Sequence, residues 1–166
     1  MRRKKLYLDT SVVSYLRQED APVPMKQTQQ FWEVLKTGLY DVCISNATVV
    51  ELSNCSEPKR SELLALLEEI EYTHINTEGN AEIAVLVKEI EKLKIIPAKK
   101  VLDRLHIASA IHSGCNIIVS WNFDHMVNVR TIDGVRVVCL TNNVAPIDIY
   151  TPPVLMERSV TDESDE

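Results

Sequence analysis

DRLHIASAIHSGCNIIVSWNFDHMVN, residues 103–128, is the stretch from which the rest of the chain is read. Asp103, Ile107 and Ile111 follow one another at i, i+4 and i+8, so an acid heads an apolar helical face that must turn inward. Gly114 stops that helix. NIIVS (116–120) then reads as a strand apolar on both faces, the pattern of a parallel sheet covered by helices on either side. A short helical segment follows, with Asn122 as its cap and Asp124 in its first turn. An isolated buried carboxylate is costly, so Asp103 is expected to be paired or bound to metal. Its plain structural alternative is an ion pair with Arg104 or a nearby lysine.

The flanking sequence repeats the alternation. KLYL (5–8) is a short strand ending at Asp9, and Thr10 or Ser11 offers a cap for a helix reaching about Gln18. Pro22 and Pro24 break the chain, and the apolar spacing predicts a helix over 25–39. DVCIS (41–45) is a second strand, and Asn46 caps the helix ATVVELSN, with Glu51 about one turn in. Further helices are predicted over 59–70, 78–93 and 100–112, and further strands at EYTHI (71–75) and VRVVCL (135–140). The expected architecture is a single α/β domain over residues 1–150, with a central parallel sheet of four to five strands flanked by helices. Residues 151–166 are rich in Asp and Glu and are expected to be a disordered tail.

Bulk properties narrow the function classes. A chain of 166 residues fits one domain with a core that needs no disulfides. The net charge of −6 argues against non-specific clinging to nucleic acid, although an inward-facing acid cluster that binds cations also yields an acidic balance. Cys43, Cys55, Cys115 and Cys139 form no C-x-x-C pair and read as reduced thiols of a cytoplasmic protein. The basic start MRRKK is followed by too short an apolar stretch for a signal or an anchor, so no membrane is expected. Four glycines and no glycine-rich phosphate loop argue against a nucleotide-binding protein.

In open parallel sheets ligands bind beyond the carboxyl ends of the strands. Asp9, Glu51, Asp103 and Asn122 or Asp124 all fall near one such end. Each has a local alternative: Asp9 as a helix cap, Glu51 as an exposed helical acid, Asn122 and Asp124 as a cap and a first-turn acid. Together, converging carboxylates repel one another unless a cation sits among them. Oxygen ligands suit Mg²⁺ or Mn²⁺. Such an ion activates water and stabilises charge on a phosphate oxygen, which is the chemistry of phosphodiester hydrolysis. His106 reads as a packing or hydrogen-bonding residue behind Asp103, the alternative being a Mn²⁺ or Zn²⁺ site that uses both.

LYLDTSVVSYL, ATVVELSN and the 103–128 block resemble the PIN domain, and within it the VapC-like toxins of toxin–antitoxin pairs. The likeness runs from about Lys5 to Tyr150, and its most specific pieces are D-T-S after the first strand and D-x-x-H-I-A-x-A before the fourth. It implies a Rossmann-like sheet, a divalent-metal endoribonuclease acting on RNA, frequent homodimers and a small antitoxin partner. By position, Asp9, Glu51 and Asp103 look like the catalytic metal acids, and Thr10 or Ser11 like the supporting hydroxyl. Asn122 stands where a fourth Asp is common in the family. It offers a neutral oxygen but no charge, which leaves a weakly active or inactive binding or scaffold protein as the alternative.

Overall fold

The computed structural model describes residues 2–164, with side chains described as far as Ser159. Five short strands form one parallel sheet: β1 (Lys5–Leu8), β2 (Asp41–Ser45), β3 (Thr73–Ile75), β4 (Ile117–Val119) and β5 (Asp148–Tyr150). Their order is β3-β2-β1-β4-β5, so the chain reverses direction across the sheet at β1, between β2 and β4. Leu6 lies beside Val42 on one side and Ile117 on the other, and Leu8 pairs with Val119. A crevice at such a reversal is where a parallel α/β sheet places its ligand.

The strands alternate between two cores because successive side chains leave opposite faces of a sheet. Tyr7, Cys43 and Ile118 face a core built with α5 (Ala81–Leu93), α6 (Val101–His112) and α7 (Val129–Thr141). Leu6, Leu8, Ile44, Ile117 and Val119 face the other, built with α1 (Thr10–Tyr15), α2 (Pro22–Lys36), α3 (Asn46–Ser53), α4 (Lys59–Leu67) and α8 (Pro152–Ser164). Complete burial of each aliphatic side chain contributes about 1.5–3 kcal/mol before the entropy of ordering is counted. Among the described residues no helix is long and apolar enough to cross a membrane. All four cysteines are free, and Cys43, Cys115 and Cys139 are buried.

Several local readings are corrected. VRVVCL is not the last strand but the end of α7. Thr131, Gly134, Val135, Val138 and Cys139 are its buried positions, a helical spacing that the β-branched composition obscures. Asn128 caps it, its side chain accepting from Thr131 N–H at 2.9 Å. The fifth strand lies further on, at Asp148–Tyr150. Pro22 does not interrupt structure; it opens α2 at the first helical position, where its missing N–H costs nothing. Ser45 rather than Asn46 caps α3, its Oγ accepting from Ala47 N–H at 3.2 Å. The segment after Asn122 forms turns rather than a helix.

The stretch assigned from composition to an acidic tail contains α8. Pro152 starts the helix, Leu155 is buried in the second core with Met156 packed against it, and Tyr40 donates to Ser159 Oγ at 3.1 Å. Two apolar residues outweigh the acidic composition because they land on a prepared surface. Asp165 and Glu166 lie outside the described residues.

Candidate active site

The carboxyl ends of β1, β2 and β4 each deliver a side chain to the reversal point. Asp9 follows β1 directly and is buried. It occupies the cap position of α1, yet its side chain accepts no cap hydrogen bond from that helix. Instead Oδ2 accepts from Ser11 Oγ and from Ser120 Oγ, each at 2.7 Å. Ser120 in turn accepts from Asn122 N–H at 3.0 Å, and Ser11 from Trp121 N–H at 2.9 Å. Two hydroxyls thus lock one oxygen of Asp9, while Oδ1 lies 3.4 Å from His106 Nε2.

Glu51, on α3, reaches the same point. Its Oε1 accepts from Thr10 Oγ1 at 3.0 Å and lies 2.5 Å from His106 Nε2. Thr10 and Ser11 therefore both serve the cluster, each on a different acid. His106, on α6, is fully buried. One ligand atom from each of Asp9, Glu51 and His106 lies within 4.8 Å of the other two. Burial pulls the His106 imidazole toward its neutral form, but the hydrogen bond to Glu51 and the charges of Asp9, Glu51 and Asp103 outweigh it and raise its pKa.

Asp103 stands just outside that compact trio, in the first turn of α6 and 8% exposed. It does not pair with Arg104, which donates to the Pro97 and Ala98 carbonyls at 3.1 and 3.0 Å. Its neighbour is His125, with Nδ1 2.8 Å from Oδ2. That is ion-pair distance without hydrogen-bond alignment, and Oδ2 is buried with no hydrogen-bond partner. Burial first, and the charge of Asp9 second, push the Asp103 carboxyl above the usual range, with Glu51 adding to the rise and His125 and His106 opposing it.

Of the remaining sequence candidates, Asn122 touches the cluster through its backbone N–H, which donates to Ser120 Oγ at 3.0 Å. Asn122 Oδ1 accepts from His125 N–H at 3.0 Å, closing a turn. Asp124 is exposed two residues further on. Three participants went unread in the sequence: Tyr7, Ser45 and Ser120. Tyr7 is fully buried in the central strand, its hydroxyl 2.6 Å from His106 Nδ1 and 2.7 Å from Ser45 Oγ. A tyrosine in an otherwise aliphatic strand is the signal that was available, since its buried hydroxyl requires a partner. A cleft of about 980 Å³ opens at the amino ends of the strands among Arg3, Lys5, Asp41 and Glu71. It lies at the opposite end of the sheet, so the basic start of the chain does not line the acid cluster.

Asp9, Glu51 and His106, gathered at the reversal point of a parallel sheet, form a group that could hold a metal ion, and the chain belongs to the PIN domain family, whose profile matches residues 6–128. PIN domains are nucleases that use divalent metals. Solved structures share the fold. One is a chain of the VapBC2 complex from Rickettsia felis bound to a DNA fragment from their promoter, with a TM-score of 0.56 and 14% identity over 89% of this chain and 98% of that one. No curated protein matches the sequence.

The residues present fit a cation. Both hydroxyls on Asp9 go to Oδ2, which leaves Oδ1 without one, and Glu51 and His106 adjoin it with ligand atoms within 4.8 Å of one another. A cation there would take the open lone pairs and balance the charge of the neighbouring carboxylates.

Proposed function

We propose that the protein is an endoribonuclease dependent on Mg²⁺ or Mn²⁺, with Asp9, Glu51 and Asp103 as its metal acids. The observation that carries this reading is Asp9, held at the end of the central strand by two hydroxyls with one oxygen left over, beside two more carboxylates. A bound divalent ion would stabilise charge on the scissile phosphate and make water a competent nucleophile near neutral pH. The protein's own part is positional. Ser11 and Ser120 fix the plane of the Asp9 carboxylate, Thr10 orients Glu51, and burial of Asp9 and Asp103 keeps bulk water from screening their charge. No covalent intermediate is required.

Within this reading the protein is the toxin of a toxin–antitoxin pair, a homodimer restrained by a small antitoxin. The likeness of its fold to a chain of the VapBC2 complex supports that. Exposed Val23 on α2 and Leu64 on α4 offer apolar surface to a partner. The competing reading, a binding or scaffold protein on the same fold, draws on Asn122, whose side-chain oxygen serves a turn instead of the cluster.

The deciding experiment incubates a structured-RNA pool with the purified chain in Mn²⁺, Mg²⁺ or EDTA. Cleavage that requires the metal is expected. Failure to bind Mn²⁺ at all, read by calorimetry, would leave the scaffold reading in its place.

The loop after β4 separates two aromatic roles. Trp121 is buried, stacks on Tyr15 at 5.5 Å between ring centroids and donates to Thr28 Oγ1 at 2.8 Å. Phe123 is 58% exposed, on a backbone pinned by Asn128 Nδ2 at 3.1 Å. It lies three residues from Ser120, which holds Asp9, and two from His125, which adjoins Asp103. A rigid exposed ring at the rim of a nuclease site suits stacking by an unpaired base. Phe123→Ala is expected to weaken binding of a short single-stranded RNA by about 5–100-fold. Fluorescence anisotropy in EDTA measures this, and parental affinity would take Phe123 out of the RNA path.

A further inference from the structure

We propose that His106 is itself a ligand of the divalent ion through Nε2, and that the Tyr7–Ser45 hydroxyl pair presents that nitrogen. The site would then prefer cations that accept imidazole, such as Co²⁺ or Mn²⁺, over Mg²⁺. This rests on the metal reading above.

The geometry around Nε2 carries the argument. A buried imidazole serving only as a packing residue needs one acceptor. Here Nε2 meets three oxygens of the cluster: Glu51 Oε1 at 2.5 Å, Thr10 Oγ1 at 3.3 Å and Asp9 Oδ1 at 3.4 Å. Two donors sharing one ion at about 2.1 Å each stand roughly 3 Å apart at right angles. The separations seen here bracket that value. The side chain of Glu51 is 33% exposed, so it has room to move outward by the few tenths of an ångström that an inserted ion would require. Asp103, buried beside the trio with His125 Nδ1 2.8 Å from its Oδ2, adds a further acid whose charge acts on His106.

The second nitrogen completes the case. A histidine that binds metal through one ring nitrogen usually donates its other N–H to a fixed acceptor, which sets the tautomer. His106 Nδ1 faces the Tyr7 hydroxyl at 2.6 Å, and Tyr7 faces Ser45 Oγ at 2.7 Å. Both partners are hydroxyls, which can donate or accept by rotating a single hydrogen. With Nδ1–H donating to Tyr7 and Tyr7 donating to Ser45, Nε2 is left with its lone pair turned toward the acids. With the direction of both bonds reversed, Nε2 carries the proton and donates it to Glu51. The same heavy-atom positions satisfy the protein with and without the ion. A carbonyl at the Tyr7 position would allow only one of these states.

A nitrogen donor alters cation choice. Mg²⁺ demands oxygen and gains little from imidazole, whereas later divalent metals bind nitrogen more tightly in the order Mn²⁺ < Co²⁺. The test uses the full chain loaded with Mn²⁺ alone and examined by pulsed electron paramagnetic resonance for ¹⁴N coupling, alongside Co²⁺, Mn²⁺ and Mg²⁺ affinities by calorimetry. The wild type is expected to show nitrogen coupling. H106Q is expected to lose it and to weaken Co²⁺ by about 10–100-fold or more, with Mg²⁺ changed far less. Tyr7→Phe, which keeps the ring in the core, is expected to weaken Co²⁺ by about 10-fold. Should H106Q fail to fold, the wild-type spectrum and Tyr7→Phe still decide the matter. Mn²⁺ bound to the wild type without nitrogen coupling would overturn the role of His106 and leave the metal reading standing. No binding of any of the three ions would overturn both.

Discussion

Asp103→Asn is expected to lower metal-dependent RNA cleavage by about 10²–10³-fold while leaving the metal-free protein as stable as the parent or more so. The two effects share one cause. Asp103 is buried, and its carboxyl is pushed up by burial and by the charge of Asp9, with Glu51 adding to it. A carboxyl whose pKa is higher in the folded protein binds more protons there than in the unfolded chain. Its ionised form therefore destabilises, and stability declines as pH rises out of the acid range through the unfolded and then the folded pKa. Asparagine removes that charge, flattening this part of the pH profile. The loss of the contact with His125 offsets part of the gain.

At neutral pH a rise of roughly 1–4 °C in melting temperature is expected for the metal-free variant. Added Mn²⁺ reverses the ranking. Saturation at about 100 times the dissociation constant stabilises the wild type by about 2.7 kcal/mol, and the variant, short of a ligand, gains less. Calorimetric melting with and without Mn²⁺ measures both effects alongside cleavage. A variant that cuts RNA at the parental rate, or that melts well below the parent without metal, would make Asp103 a structural residue.

Trp32→Ala has the largest expected effect on stability, a loss of about 3–5 kcal/mol, which lowers the melting temperature by roughly 6–20 °C. Trp32 is 2% exposed on α2 and fills the core shared with Leu8, Ile44 and Val119. Its indole Nε1 is buried without a partner, so Trp32→Phe removes an unsatisfied donor as well as volume. That substitution is expected to stay within about 1 kcal/mol of the parent. The consequence reaches the site, because α2 also carries Thr28, whose hydroxyl holds the Trp121 indole and with it the loop bearing Ser120 and His125. Loosening α2 should therefore cost activity at temperatures where the parent is still fully active. A change of only a degree or two for Trp32→Ala, read by circular dichroism, would contradict this packing.

What local sequence determined is the alternation itself. KLYL, DVCIS and NIIVS are short apolar runs, each ending in or directly followed by a polar residue, and a run buried on both faces has few homes other than a parallel sheet. Asp103 was legible because it heads an apolar helical stripe, where a carboxylate is expensive. Asp9 was legible because it ends the first strand. Where the signal was only composition, the reading failed: β-branched residues made a strand of the end of α7, and acidic residues made a tail of α8. In both, a buried face decided the outcome, and a face exists only once there is a core to meet it.

Ser11, two residues from Asp9, was within reach of a local reading; the partners from other strands and helices were not. The order β3-β2-β1-β4-β5 sets Ser45 and Ser120 on either side of Asp9, and it brings the Tyr7 hydroxyl to His106 Nδ1. These long-range partners are fixed by which strands become neighbours, not by spacing along the chain. For the same reason the sequence offered His106 as a residue behind Asp103, and only the tertiary structure placed it between Asp9 and Glu51. Asn122, expected at the site, accepts from His125 N–H through its side-chain oxygen in the turn after β4. The sequence determined which residues were too costly to bury alone; the packing of the sheet decided what each of them was buried with.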